Sequence, residues 1–209
     1  MNSEVISGYM VAVQFNIMRG ISMDVREFMK CFQERYSDVD RYELAEHRDI
    51  RDFEDRLGVK LPLSFCTFLS EFSNGIFLLD CEPIGGISEN SPCGAICKSH
   101  VILPDLPDKI YIRETDELID SNRLISFTMF DAVENSNDHW VFLCEEGIPN
   151  NEYRLGFISQ NSKVIVKTLP CFEEWLTVLW NHDDYDEHAV PVFYTFYPTF
   201  DERFEILSN

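Results

Sequence analysis

The fold of this chain is indicated most clearly by residues 49–77, which read DIRDFEDRLGVKLPLSFCTFLSEFSNGIF. Apolar residues recur at helical spacing in both halves of this stretch. Gly58 stands where a helix ends in a left-handed residue, and Pro62 suits the first turn of the next helix, where its missing N–H is not needed. Asn74-Gly75 supplies a second left-handed stop. The two apolar stripes, which predict two amphipathic helices, are Ile50, Phe53 and Leu57, followed by Phe65, Phe68, Leu69 and Phe72.

The composition of the chain fits one globular domain with extensions. Its 209 residues are 45% hydrophobic and include 17 phenylalanines, enough for a large core. The 37 acidic residues outnumber the 17 basic ones and give a net charge of −20. Such a surface repels nucleic-acid phosphates and anionic lipid and attracts basic proteins, so we expect no direct binding of nucleic acid. A solvated surface that only keeps the chain soluble explains the same charge.

Several features of the sequence predict a cytoplasmic protein with reduced thiols. The apolar run at 9–18 is short, contains Gln14 and Asn16, and follows Glu4 rather than a basic segment, unlike a signal peptide. No window approaches the roughly 18–20 apolar residues of a membrane span, so we expect no membrane association. The seven cysteines are an odd number, which also favours a reducing compartment.

Neither a metal site nor a cofactor is predicted. Cys93 and Cys97, with Cys81 and His100 nearby, invite a zinc interpretation, but their spacing differs from the usual two-residue knuckle and no second paired knuckle follows. Gly85-Gly86 lacks the lysine and the third glycine of a phosphate loop.

No catalytic residue is predicted either. Asp138-His139 resembles part of a catalytic pair, although adjacent residues of this kind more often form a polar pair at a strand edge. No serine is flanked by the glycines of a nucleophile elbow. We therefore expect a protein that is not an enzyme.

The order of elements predicts an α+β fold, with a largely antiparallel or mixed sheet of about five to six strands packed with helices. A helix is expected at 25–36, before the helical pair, and another at 171–180. The expected strands are 76–80, 109–113, 123–130, 139–145, 153–159 and 163–168, of which the last two form a hairpin. We divide the chain into an N-terminal extension at 1–42, a single domain at 43–181, and an acidic, aromatic C-terminal extension at 182–209.

The spaced pattern IxxFExxLGxxLPxxFxxFL at 50–69, followed by Asn74-Gly75, resembles the opening motif of the SUKH superfamily. Later segments are similar to that family in the same order: LISF at 124–127, NDHWVFL at 137–143, KVIV at 163–166 and FEEWL at 172–176. The resemblance covers about residues 43–181. The chain departs from the family pattern at Ile76, where a second glycine is common, and in a longer insert at 89–107.

The resemblance implies a non-enzymatic binding domain, typically a bacterial immunity protein that neutralises a cognate polymorphic toxin. We expect a basic, nuclease-type toxin, since an acidic surface would attract it. The alternative is a regulatory or scaffolding module, with the 25–36 helix and the aromatic tail as docking elements. Glu54 and Asp138 are the matched polar positions that could face a cleft. The other expected partner contacts lie in predicted loops: Glu114, Asp116, Glu117, Asp120, Asp131, Glu134, Asp183, Asp184, Asp186 and Glu187.

Overall fold

A computed structural model describes residues 23–35, 41–78, 82–91, 94–128 and 139–181 of the chain. These residues form an α+β fold, as the sequence predicts, with five α-helices and nine β-strands. The helices are α1 (Val25–Arg35), α2 (His47–Leu57), α3 (Leu63–Glu71), α4 (Ser99–Ile102) and α5 (Phe172–Asn181). None of the described helices is both long enough and apolar enough to span a bilayer.

Seven of the described strands form one mixed, curled sheet. In chain order they are β3 (Cys97–Lys98), β4 (Lys109–Ile112), β5 (Glu117–Asp120), β6 (Leu124–Ser126), β7 (His139–Leu143), β8 (Leu155–Ile158) and β9 (Ile165–Leu169). Their order across the sheet is β3-β6-β7-β8-β9-β4-β5, and only the β4–β9 contact is parallel. The remaining strands, β1 (Ile76–Leu78) and β2 (Glu82–Ile84), form a separate antiparallel hairpin.

Both faces of the sheet are covered, because side chains alternate along its central strands. On β7, Trp140 and Phe142 belong to the larger core cluster, which also contains the apolar faces of α1, α2, α3 and α5. Val141 and Leu143 belong to a second cluster on the opposite face, against which Ile102 of α4 packs. This two-sided burial explains why β7 is an unbroken run of buried residues.

The 49–77 block folds as its sequence predicts. Helix α2 ends at Gly58, whose φ of 73° is left-handed and whose N–H donates to Glu54 O at 2.8 Å. Pro62 comes directly before α3, and its carbonyl accepts the first helical hydrogen bond, from Cys66 N at 2.9 Å. Gly75 has a φ of 89°, which confirms the second left-handed stop.

The predicted strand count was too low, because the sheet has seven strands rather than five or six. The missed strands are short: β3 has two residues, and β5 has four with only Ile119 buried. Neither carries the alternation of polar and apolar residues that identifies a half-buried strand. Glu117 and Asp120, expected in a loop, therefore lie on the last strand of the sheet. The predicted hairpin of β8 and β9 is confirmed.

Helix α1 packs on the rest of the fold through its apolar face. Phe28 and Phe32 are buried in the same cluster as α3 and α5, and the Phe32 ring contacts the Phe72 ring edge-on. The N–H of Val25 also donates to the Glu173 carboxylate of α5. The apolar face of this helix therefore serves the protein's own core.

Candidate partner-binding groove

An open groove of about 470 Å³ lies between α2 and the loop that follows β2. One wall carries four carboxylates, and Tyr42, Leu44 and Ala45 also line the groove. The opposite wall is uncharged and mostly polar. The acidic wall consists of Glu43, Glu46, Asp49 and Asp52, with the cationic Arg56 further along α2; the neutral wall consists of Asn74, Ile87, Ser88, Asn90 and Ser91.

The acidic wall follows from the spacing of its residues. Asp49 and Asp52 are three residues apart on one face of α2, and Glu46 directly precedes the helix. Asp52 lies 3.7 Å from the guanidinium of Arg48. In the part of the chain that the structure describes, no ion pair involves Glu43, Glu46 or Asp49. The wall thus combines three carboxylates that have no ion pair in the described residues, one carboxylate next to Arg48, and Arg56, whose guanidinium lies over the Phe53 ring.

Because part of the acidic wall lies at the start of α2, bringing its negative charges together costs less free energy. The amino end of a helix carries a partial positive charge that stabilises nearby carboxylates. Glu46 directly precedes α2, and Asp49 lies in its first turn. Like charges three residues apart still repel each other by a few tenths of a kcal/mol, about 0.2–0.5 per pair. A cationic ligand in the groove would relieve that repulsion.

The neutral wall is held in place by close packing around Gly86. A Cβ atom at this position would overlap the Asn74 backbone and side-chain oxygens and the hydroxyl of Ser91. The Asn74 side chain accepts a hydrogen bond from Ile87 N at 2.8 Å, and Gly86 O accepts one from Ile96 N at 2.8 Å. The neutral wall is therefore preformed without a ligand.

The groove also offers an apolar contact next to the acidic residues, because Leu44 lines it. Leu44 is 49% exposed, while its neighbour Ala45 is buried and donates its N–H to Leu69 O at 3.0 Å. Tyr42 N donates to the Ser73 hydroxyl at 2.9 Å, which fixes the start of the segment. An exposed leucine beside a row of carboxylates suits a ligand that carries both apolar and cationic groups.

Glu54, which the sequence analysis assigns to partner contact, is placed inside the scaffold. Its side chain is only 8% exposed. One carboxylate oxygen accepts from Leu61 N at 2.8 Å, and the other accepts from Lys60 Nζ at 2.9 Å. The hydrogen bond to Glu54 raises the pKa of Lys60. The carboxylate thus joins the end of α2 to the start of α3.

Two of the expected contacts near β4 and β5 are neutralised by cations of the same chain. Burial alone would raise the pKa of Glu114, but hydrogen bonds from Lys167 and Thr168 outweigh it and leave the pKa below its usual value. Glu117 accepts from the Thr115 hydroxyl and from Arg154, and both contacts lower its pKa. Because cations of the same chain already contact them, these carboxylates would attract a basic partner less strongly than the carboxylates of the acidic wall.

The other two carboxylates of this region shape the turns around β5. Asp116, with a φ of 58°, accepts a hydrogen bond from the Tyr111 hydroxyl at 2.9 Å. Asp120 accepts from Asn122 N at 2.9 Å and thereby caps a short 3-10 helix. Both side chains are exposed. The remaining expected contacts lie outside the described residues: Asp131, Glu134, Asp138, Asp183, Asp184, Asp186 and Glu187.

His139, considered above as part of a catalytic pair, belongs to a buried polar chain. Its Nε2 lies 2.7 Å from the Ser126 hydroxyl, which lies 2.9 Å from the Ser99 hydroxyl. All three residues are at most 1% exposed. Hydrogen bonding among buried polar side chains is typical of structural networks between packed strands. The described segments contain no group of three or more potential metal ligands, while Cys81 and Cys93 fall outside them.

The acidic wall is the feature that the sequence analysis missed. Its signal is present in the sequence as acids at 43, 46, 49 and 52, a regular spacing of three. Arginines at 48, 51 and 56 lie close to these acids in the sequence, so a count of net charge along the chain does not reveal the acidic wall.

Comparison of the chain with models of protein families, with curated proteins and with solved structures gave no match.

Proposed function

We propose that this protein is a non-enzymatic binding domain whose acidic groove holds a basic segment of a partner protein. The observation that carries the proposal is the row of Glu43, Glu46 and Asp49 along one wall, without an ion pair in the described parts of the chain. Their mutual repulsion falls when a cation enters the groove. A lysine- or arginine-bearing segment is therefore the class of ligand that fits best.

The kind of partner is suggested by the resemblance of residues 43–181 to the SUKH superfamily. We propose an immunity protein that neutralises a basic, nuclease-type toxin. A nuclease needs cationic groups to bind phosphates, and those groups also suit an acidic inhibitor. The net charge of −20 would steer such a toxin towards the protein and speed association.

The regulatory alternative rests on two docking elements, the 25–36 helix and the aromatic tail. The apolar face of α1 is buried against α3 and α5, so that face is engaged within the protein itself. The tail lies outside the described residues. The acidic groove favours the toxin-binding proposal, because it supplies an open surface of defined charge.

The proposal is tested by coexpression with the product of an adjacent toxin-like gene, which should restore growth of the host. The decisive variant neutralises the acidic wall, and a control variant makes the same change of three charges elsewhere on the surface. The groove variant is Glu43→Gln, Glu46→Gln and Asp49→Asn. The control variant is Glu27→Gln, Glu34→Gln and Asp108→Asn, at three exposed positions.

We expect the control variant to protect the host and the groove variant to lose protection. With purified proteins at low salt, the groove variant should associate about tenfold more slowly, because charge complementarity acts mainly on the association rate. Its affinity should also depend less on salt than that of the unchanged protein. Equal protection by both variants, or equal binding, would refute the assignment of the groove.

A further inference from the structure

Besides its acidic wall, the groove carries a positive charge at the far end of α2. Arg56, in the last turn of the helix, lines the same groove as Glu46 and Asp49. We propose that the partner segment is bipolar: a lysine or arginine binds at the acidic start of α2, and an acidic residue further along the same segment binds Arg56. This inference rests on the proposed function, because it defines the ligand of the same groove more closely.

The charge of Arg56 is accessible to a ligand. Its side chain is exposed, and its guanidinium carbon lies 5.6 Å from the centre of the Phe53 ring. Contact with an aromatic face holds a guanidinium in place without neutralising it. Asp52, one turn earlier in the helix, instead lies 3.7 Å from Arg48. In the parts of the chain that the structure describes, no ion pair involves Arg56.

The other side of the groove provides no carboxylate for Arg56. The neutral wall consists of asparagine, serine and isoleucine side chains, which neither pair with a guanidinium nor repel an incoming carboxylate. Arginine and a carboxylate can form two parallel, charge-assisted hydrogen bonds. An acidic residue of the partner could therefore pair with Arg56 without displacing an ion pair of the described residues.

The length of α2 sets the spacing of the two charges in the ligand. A helix rises about 1.5 Å per residue, so Asp49 and Arg56 are about 10 Å apart along the axis, and Glu46 and Arg56 about 15 Å. An extended chain advances about 3.3 Å per residue. The basic and the acidic residue of an extended segment should therefore be about three to five positions apart. A segment with basic residues along its whole length would instead place a like charge beside Arg56.

Three blocked peptides test this spacing in NMR titrations of the full-length protein, which measure weak dissociation constants. The first, SSKKTTTES, has its glutamate four positions after the second lysine. The second, SSKKTTTQS, replaces that glutamate by glutamine, and the third, SSKKETTTS, moves it next to the lysines. We expect the first peptide to bind about threefold more tightly than either of the others at low salt, as one exposed ion pair allows.

This order of affinities is opposite to the one that overall charge predicts. The protein has a net charge of −20, so general attraction favours the glutamine peptide, which is more positive than the first peptide by one charge. A cation close to the bound glutamate reverses that preference. The backbone amide signal of Arg56 should also shift further with the first peptide than with the glutamine peptide.

Two arginines of α2 provide matched protein variants. Arg56→Gln should abolish the preference for the first peptide, and Arg56→Glu should make the glutamine peptide bind about threefold more tightly than the first. Arg51→Gln, at an exposed arginine that does not line the groove, should keep the preference of the unchanged protein. If Arg56 only stabilised the end of the helix, its replacement would lower Tm and leave the preference between peptides unchanged.

The glutamine peptide distinguishes failure of this inference from failure of the proposed function. Its binding should weaken in the variant neutralised at Glu43, Glu46 and Asp49, which tests the groove alone. If that result is obtained but the first peptide binds no more tightly than the glutamine peptide, the bipolar ligand is overturned and the groove stands. A preference that survives Arg56→Gln, or equal affinity of the two glutamate peptides, would also overturn it. If none of the peptides binds, the proposed function fails and the inference fails with it.

Discussion

Replacing Glu54 tests whether its carboxylate supports the fold or contacts a partner. Glu54→Ala removes the acceptor for Leu61 N, at 2.8 Å, and for Lys60 Nζ, at 2.9 Å. Leu61 is buried, so its N–H would lose its partner where water cannot easily replace it. The sequence predicts that this residue contacts a partner, whereas its burial and its two hydrogen bonds indicate a structural role.

The size of the effect follows from the two contacts. An unsatisfied buried N–H costs about 1–3 kcal/mol, and a hydrogen bond to a charged group contributes about 1.5–3 kcal/mol. Because the two terms overlap, we expect Glu54→Ala to lower the free energy of unfolding by about 3 kcal/mol. Glu54→Gln keeps an oxygen for Leu61 N and loses only the pair with half-exposed Lys60, so a much smaller loss than that of Glu54→Ala is expected.

Urea denaturation measures both values, and thermal unfolding provides a second measure. For a chain of this size 1 kcal/mol corresponds to about 2–4 °C in Tm, so Glu54→Ala should lower Tm by about 9 °C. Asp55→Asn is the matched control, because Asp55 contacts Lys60 at 3.3 Å but is 76% exposed. It should change stability by less than about 0.5 kcal/mol.

The structural role of Glu54 would be refuted by a Glu54→Ala variant as stable as the Asp55→Asn control. It would also be refuted if Glu54→Ala kept normal stability and lost partner binding. Loss of stability with unchanged affinity of the folded fraction is the expected pattern. Measuring both the stability and the partner affinity of one protein preparation therefore distinguishes a structural role of Glu54 from a role in partner binding.

Three further predictions concern other parts of the fold. The pKa of Glu114 lies below the usual 4.5, so its stabilisation is present above pH 4.5 and disappears as pH falls through the lower, folded-state value. Glu114→Gln should therefore cost about 1 kcal/mol at pH 7 and nothing in strong acid, as urea titrations at several pH values will show. Gly86→Ala should destabilise by about 1–3 kcal/mol and weaken binding in the groove, because its methyl group overlaps the neutral wall. Burial raises the pKa of Cys66 and Cys144 to about 12, so both thiols should resist alkylation at pH 8 until the chain is unfolded, as peptide mapping can verify.

Local pattern was sufficient to predict four of the five described helices, because their signals are carried by neighbouring residues; the four-residue helix α4 was not predicted. The apolar stripe of α3 and the left-handed stops at Gly58 and Gly75 depend on spacings of a few residues. The strands were predicted where they carry long apolar or alternating runs, as β7 does. They were missed where tertiary pairing alone makes the strand. Strand β5 exists because Ile119 packs in the second core and its backbone pairs with β4.

The candidate site could be predicted only in its overall sign of charge. Composition alone showed that the surface is acidic, and the acids at 43, 46, 49 and 52 were visible in the sequence. Which carboxylates are neutralised was decided by contacts between distant residues. Lys167 neutralises Glu114 across 53 positions, and Arg154 neutralises Glu117 across 37.

By itself, then, the sequence determined the helical scaffold, the α+β class and an acidic surface, since helix periodicity and net charge need no knowledge of distant partners. Tertiary structure decided that Glu54 is buried and hydrogen-bonded to Lys60 and Leu61, and that Glu114 and Glu117 are paired within the chain. It also decided that carboxylates without an ion pair in the described residues gather at the start of α2 and just before it, and that β5 is the last described strand of the sheet. The physical reason is that ion pairing and edge exposure depend on distances in space, which the order of residues does not specify.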